Sequence, residues 1–463
     1  MVFSSLLFVC IFLPATLLLY NLSKNITYKN VILVIASLIF YAWGEPVWVV
    51  ALLFSAMLDY VNGRIIHKFF GKWQAKAALL ASLILNLGIL MTFKYMGFFV
   101  ENINALFHMN IPFKGFNLPL GISFYTFQTL SYTIDMYRGE VKVQKNPLYY
   151  LCYLSMFPQL VAGPIVRYAD IERQINDRKV TFKGFEYGIL RFTQGMFKKV
   201  VLANGAGAIA TSILDGNLAA TPAATAWLGI LMYAFQIYFD FAGYSDMAIG
   251  LGRMFGFEFL ENFNYPYISR NVTEFWRRWH ISLSTFFRDY VYIPLGGNRK
   301  HQMLNIMVVW MLTGFWHGAS WNFVLWGLYY GILLIIEKKA FGGGLMRMPA
   351  FFGILYNSIV VLIGWAFFYF TDFARLGQFF STAFGGSGEL WDFGTVTIFL
   401  NNAWFILACF VISTPIVKIA YQFICKNRVL GGIITPIFVV AVLAFSFILL
   451  VGQTYNPFLY FRF

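Results

Sequence analysis

Apolar residues run in blocks long enough to cross a lipid bilayer, separated by short polar turns, along nearly the whole chain. A crossing takes about 20 mostly apolar residues. Stretches of that kind begin near Ser4, Lys29, Pro46, Ala77, Leu118, Glu186, Ala223, Pro349, Asn402 and Leu430. Between them lies no Pro/Ser-rich linker, low-complexity tract or internal repeat. The pattern predicts an all-α polytopic integral membrane protein in which residues 1–463 form a single transmembrane domain.

Three segments break the pattern. Residues 149–166 are apolar but hold Pro158, Gly163 and Pro164 and lead into a charged run, so 149–183 reads as a re-entrant or interfacial element. Residues 253–300 are too polar to span: Arg270, Glu274, Arg277, Arg278, Arg288 and Asp289 alternate with Phe275, Trp276, Trp279, Phe286, Phe287 and Tyr290. That mixture fits helices lying in the membrane interface, aromatic rings down and cations up. Residues 303–316 and 321–336 are apolar but short; at about 1.5 Å rise per residue each covers roughly 20 Å. A hairpin over 303–337 that turns at Gly318 leaves its tip, and His317, at membrane depth.

Composition agrees with the lipid-solvated reading: 59% of residues are hydrophobic, 20% aromatic and only 12% charged. A soluble domain carries roughly 25% charged residues, so that class is excluded. The net charge of +14 has its source in short basic loops, such as Lys24 with Lys29 and Arg64 through Lys76, which the positive-inside rule places in the cytoplasm. Alternating the spans from there puts both termini outside. No aromatic-interleaved basic stretch of nucleic-acid type occurs, and no nucleic-acid partner is expected. The first 20 residues lack a positive n-region and a cleavage site, so they read as a retained span. Cys10, Cys152, Cys409 and Cys425 form no C-x-x-C pair and no zinc spacing, so no metal site is expected.

An ionisable side chain at membrane depth costs at least about 2.5 kcal/mol, which makes each one a functional candidate. His317 lies in Gly314-Phe315-Trp316-His317-Gly318-Ala319-Ser320-Trp321. A neutral imidazole there can take a proton from a hydroxyl nucleophile; local sequence equally allows a buried histidine that bonds a neighbouring helix. His280, within Phe275-Trp276-Arg277-Arg278-Trp279-His280, could orient a thioester or the catalytic base, or sit beside lipid headgroups. Asp240 and Asp246 are six apart on one predicted helix and do not share a face, which argues for helix packing over a paired-carboxylate mechanism. No G-x-x-x-x-G-K-[ST], G-x-S-x-G or H-E-x-x-H motif is present.

Several longer motifs resemble the membrane-bound O-acyltransferase family, in its bacterial alginate O-acetyltransferase branch. They are Met1-Val2-Phe3-Ser4-Ser5, the run 118–127 (LPLGISFYTF), 158–164 (PQLVAGP), 238–246 (YFDFAGYSD), 274–298 and the Trp-His-Gly-Ala around His317. Relatives in that family also modify peptidoglycan, cellulose and teichoic acid. The resemblance implies a ring of about a dozen helices around a thin centre with an extracellular funnel, in a bacterial inner membrane. It implies an O-acetyltransferase that binds no cofactor, uses acetyl-CoA as donor, and acts with a polysaccharide acceptor and an extracytoplasmic SGNH-type partner. His317 matches the family's catalytic histidine and His280 its second marked histidine. Trp276, Arg277, Arg278 and Asn298 become candidates for lining the donor path. The final residues, Phe458 to Phe463, fit an F-x-Y-x-x-F pattern that would make Tyr460 an acyl carrier; the alternative is an aromatic interface anchor.

Overall fold

The computed structural model describes residues 1–160, 163–341, 344, 348–451 and 458–459, and all secondary structure within them is helical. Among the described residues, four helical segments are long and apolar enough to cross a membrane: Val49–Lys68, Trp73–Phe107, Ala350–Tyr369 and Arg428–Val451. The stretch expected to span from Asn402 folds as two short helices, Ala403–Ile412 and Ile416–Cys425, and the first of these follows Phe393–Asn401 at a bend of 59°. Residues 253–300 hold only short helices after the end of the helix Ala223–Met254, the longest of them Val272–Arg278 and Ile281–Phe287, and none is long enough to cross.

The residues group into two compact units. The first comprises Met1–Gln194, Tyr244–Glu261 and Gln453–Arg462. Its core is aromatic: Phe3, Phe8, Phe40 and Phe157 meet at ring separations of 5.1–6.5 Å. Two of its spans are tied by a buried carboxylate, Asp59, which accepts from Ser82 Oγ at 2.5 Å and Asn86 Nδ2 at 2.7 Å. A polar group in an apolar interior is tolerated only when so satisfied, and it then fixes helix register. The segment 149–183 folds here as short helices, Pro147–Ser155, Phe157–Leu160 and Tyr168–Asn176; Val161 and Ala162 lie outside the described residues.

The second unit comprises Gly195–Gly243, Asn262–Gly452 and Phe463. Its centre is the hairpin anticipated from hydropathy, Gln302–His317 followed by Trp321–Ile336. The two helices pack backbone to backbone because glycine stands at the crossing: a Cβ at Gly314 would collide with the carbonyl of Phe323, and one at Gly327 would lie 2.5 Å from the carbonyl of Trp310. Small residues at a helix crossing are what permits such approach inside lipid. Ala350–Tyr369 packs against the second hairpin helix, with Tyr329 Oη donating to the Val360 carbonyl at 2.8 Å and Asn322 Nδ2 to that of Phe367 at 3.1 Å.

Candidate functional site

A short helix, Val272–Arg278, builds one wall of the site, and two caps hold it. Asn271 Oδ1 accepts from Glu274 N at 2.7 Å. Glu337, at the end of the hairpin and 3% exposed, accepts from Val272 N at 2.7 Å, Thr273 N at 3.1 Å and Thr273 Oγ1 at 3.2 Å. Its carboxylate thereby satisfies the open N–H groups of the first turn and sits at the positive end of the helix. The helix then presents Trp276 edge-on to Trp310, Tyr330 and Trp326, with ring centroids 4.8, 4.9 and 5.4 Å away.

The chain turns sharply at His280, whose backbone is left-handed at φ 44° and ψ 56°. A non-glycine residue pays about 1 kcal/mol or more for that conformation, so surrounding contacts must hold it. The ring is 1% exposed and meets Phe241 edge-on at 4.6 Å. Its Nδ1 lies 3.1 Å from Asn262 Oδ1, which also accepts from Ser282 N at 3.2 Å and Ser282 Oγ at 2.9 Å. Burial pushes the imidazole far below its ordinary range, to about 3, so it is neutral at physiological pH.

His317 ends the first hairpin helix, is 5% exposed, and is walled by Trp326, Trp316 and Phe368 at 4.9, 5.0 and 5.2 Å. Trp316 also lies 6.0 Å from the His280 ring, so one indole flanks both imidazoles. Both histidines line a single cavity of about 530 Å³ together with Trp276, Trp310, Ser284 and Thr313, and Arg277 and Arg288 also line it. Around it, Trp276 Nε1, Trp326 Nε1 and Tyr330 Oη are buried without a hydrogen-bond partner among the described residues. An aromatic-lined cavity with unused donors beside it and two imidazoles is suited to a small polar group that undergoes proton transfer.

The cavity gathers His317, His280, Trp276 and Arg277 from the sequence-derived candidates and does not include the other two. Arg278 is turned aside to pair with Glu274 at 2.8 Å and to donate to the Asn264 carbonyl at 3.1 Å. Asn298 accepts from Tyr292 Oη at 2.8 Å and supports the lining through that tyrosine. Tyr460 lies outside the described residues. Asp240 is buried against Lys199 in the second unit, and Asp246 pairs with Arg191 at 2.7 Å in the first, so each carboxylate has its own cation. Among the described residues no three His, Cys, Asp or Glu side chains gather in a way that could hold a metal ion.

Glu337, Asn262 and Arg288 carry no signal in the sequence that assigns them to this site. Glu337 is simply the polar residue that follows the apolar run 321–336, and its capping role exists only through contacts about sixty-five residues away in sequence. For Arg288 the alternation of cations and aromatics over 253–300 gave the neighbourhood without the residue.

A family model described as MBOAT, membrane-bound O-acyltransferase family, matches residues 139–380, a span that contains every residue lining the cavity. A probable alginate O-acetylase of Pseudomonas putida is 37% identical over 100% of both chains. Another from Pseudomonas syringae pv. tomato is 42% identical, covering 83% of this chain and 75% of its own. A peptidoglycan O-acetyltransferase of Helicobacter pylori is 35% identical over 80% of this chain and 77% of its own.

Proposed function

The chain belongs to the membrane-bound O-acyltransferase family and is an acyltransferase, and we propose that it carries acetyl groups from cytoplasmic acetyl-CoA across the membrane for O-acetylation of an extracytoplasmic polysaccharide. The observation that carries this reading is the placement of His317 and His280 on one buried aromatic cavity. The acceptor is an alginate-like exopolysaccharide or peptidoglycan, in keeping with the activities of the relatives. The setting is a bacterial inner membrane, with a ring of helices, a funnel on the outer side and both termini extracytoplasmic.

In the proposed reaction a hydroxyl oxygen attacks the thioester carbon. Its proton passes to His317, the new C–O bond forms, the C–S bond breaks, and the imidazolium returns the proton to the departing thiolate. A positioned general base of this kind contributes about 10²- to 10⁴-fold. Arg277 is exposed at the cavity and Arg288 is 60% exposed beside it, paired with Asp289 at 2.7 Å; both suit the phosphates of a CoA donor. The first acceptor is the phenol of Tyr460, and the ester then passes to an SGNH-type partner or directly to the polymer.

Intact-mass analysis of the purified protein with isotope-labelled acetyl-CoA tests the scheme, comparing wild type with His317→Ala and Tyr460→Phe. Label at Tyr460 that is lost in both variants supports the carrier. If no label forms while His317 remains essential for glycan acetylation in cells, the carrier step is wrong and transfer is direct.

A further inference from the structure

Asn262 is fully buried, outside every motif that marks this chain, and its side-chain oxygen receives three contacts. One is from the backbone N–H of Ser282, a group that can only donate. The atom is therefore the amide oxygen and can only accept. It follows that His280 Nδ1, at 3.1 Å, carries the imidazole proton. In a neutral ring the other nitrogen is then a lone-pair acceptor. That nitrogen, Nε2, is buried and has no hydrogen-bond partner among the described residues.

From this geometry we propose that Asn262 is a positioning residue for acyl transfer: it locks His280 in the Nδ1–H tautomer, so that Nε2 receives an O–H or N–H of the bound substrate. The proposal rests on the reading of the cavity as the acyl-transfer site. It gives His280 a defined chemical sense. A neutral Nδ1–H imidazole cannot donate from Nε2 to a thioester carbonyl, so His280 faces the hydroxyl or amide groups of a substrate and leaves the carbonyl to a donor such as the indole N–H of Trp276, which lines the cavity. An unpartnered buried acceptor is destabilising, a penalty relieved when a donor-bearing substrate enters.

No charged group competes for control of this ring. Burial alone lowers its affinity for a second proton. Arg277, Arg288, Tyr292 and His317 share the cavity, and Asp240, beside Phe241, is engaged by Lys199.

The test uses the full chain in lipid nanodiscs. Asn262→Leu removes the acceptor, and turnover falls about tenfold, the scale of one orienting hydrogen bond. ¹⁵N NMR of labelled histidine, with the His280 signals assigned by their absence in His280→Ala, then shows both tautomers where the wild type shows only the Nδ1–H form. Asn262→Asp keeps the acceptor and places a carboxylate beside the ring. Imidazolium is stabilised, its pKa rises, and Nε2 gains a proton below that value, so the acidic limb of the pH–rate profile moves to higher pH. Ser282→Ala removes a hydroxyl that bonds the same oxygen and lies 3.4 Å from Nδ1, but it keeps the Asn262–Nδ1 bond, so the pH profile stays in place. An Asn262→Asp profile that superimposes on wild type, or an unchanged tautomer in Asn262→Leu, overturns the proposal and leaves Asn262 a helix brace. If His280→Ala turns over at the wild-type rate, it is the catalytic reading of His280 that fails, whatever the tautomer.

Discussion

Replacing Glu337 separates a capping carboxylate from a mere surface charge. In Glu337→Ala, the buried N–H of Val272 loses its acceptor, which costs about 1–3 kcal/mol. Two part-buried bonds to Thr273 go as well, at about 0.5–1.5 kcal/mol each, and the favourable charge at the helix start adds about 0.3–1 kcal/mol. The expected loss is about 2–7 kcal/mol in all. Glu337→Gln keeps one oxygen for Val272 but turns an amide N–H₂ towards the N–H of Thr273, and it should lose about 1–2 kcal/mol. Tryptophan fluorescence during heating in detergent reads both variants, since Trp276 and Trp279 lie on or just after the affected helix. The apparent melting temperature should fall in the order wild type, Gln, Ala. Acetyl transfer should fall in the same order, because Trp276 and Arg277 line the cavity from that helix. Equal melting of Ala and wild type, or a Gln variant as unstable as Ala, would refute the capping argument.

Removing one partner of the buried Lys199–Asp240 pair, as in Lys199→Met, strands a charge that is 2% exposed and should cost about 3–5 kcal/mol, seen as lower yield of folded protein; the double change with Asp240→Leu should recover much of it. Arg277→Ala and Arg288→Ala should raise KM for the CoA donor more than they lower kcat. The effect should shrink as salt rises, and salt-independent kinetics would argue against a phosphate contact there.

The hairpin was legible because hydropathy counts length, and the two apolar runs fold as the paired helices Gln302–His317 and Trp321–Ile336. Trp276 and Arg277 became donor-path candidates through the family resemblance, and both line the cavity. Arg278, another of those candidates, is not among the cavity-lining residues because local attraction decides its direction: it stands four residues after Glu274, and the two pair. The bend near Asn402 escaped for a related reason, since an apolar count records how much chain could span and nothing of where its axis turns. Asn262 and Glu337 act at sequence separations of 18 and 65 residues, and nothing local distinguishes them from any other polar residue.

The left-handed backbone at His280 also bears on how this position can drift over evolutionary time. Valine, isoleucine and threonine are effectively shut out by their branched Cβ, and most other side chains face a smaller penalty of the same kind. Glycine, asparagine, aspartate and histidine are the residues that take the conformation readily. Glycine offers no side chain to the chamber, and aspartate would bring a charge into an apolar enclosure, which leaves asparagine as the neighbour most easily reached with a neutral polar head intact. Lineages descended from this chain should therefore exchange histidine for asparagine here before anything else, a restriction set by one torsion angle.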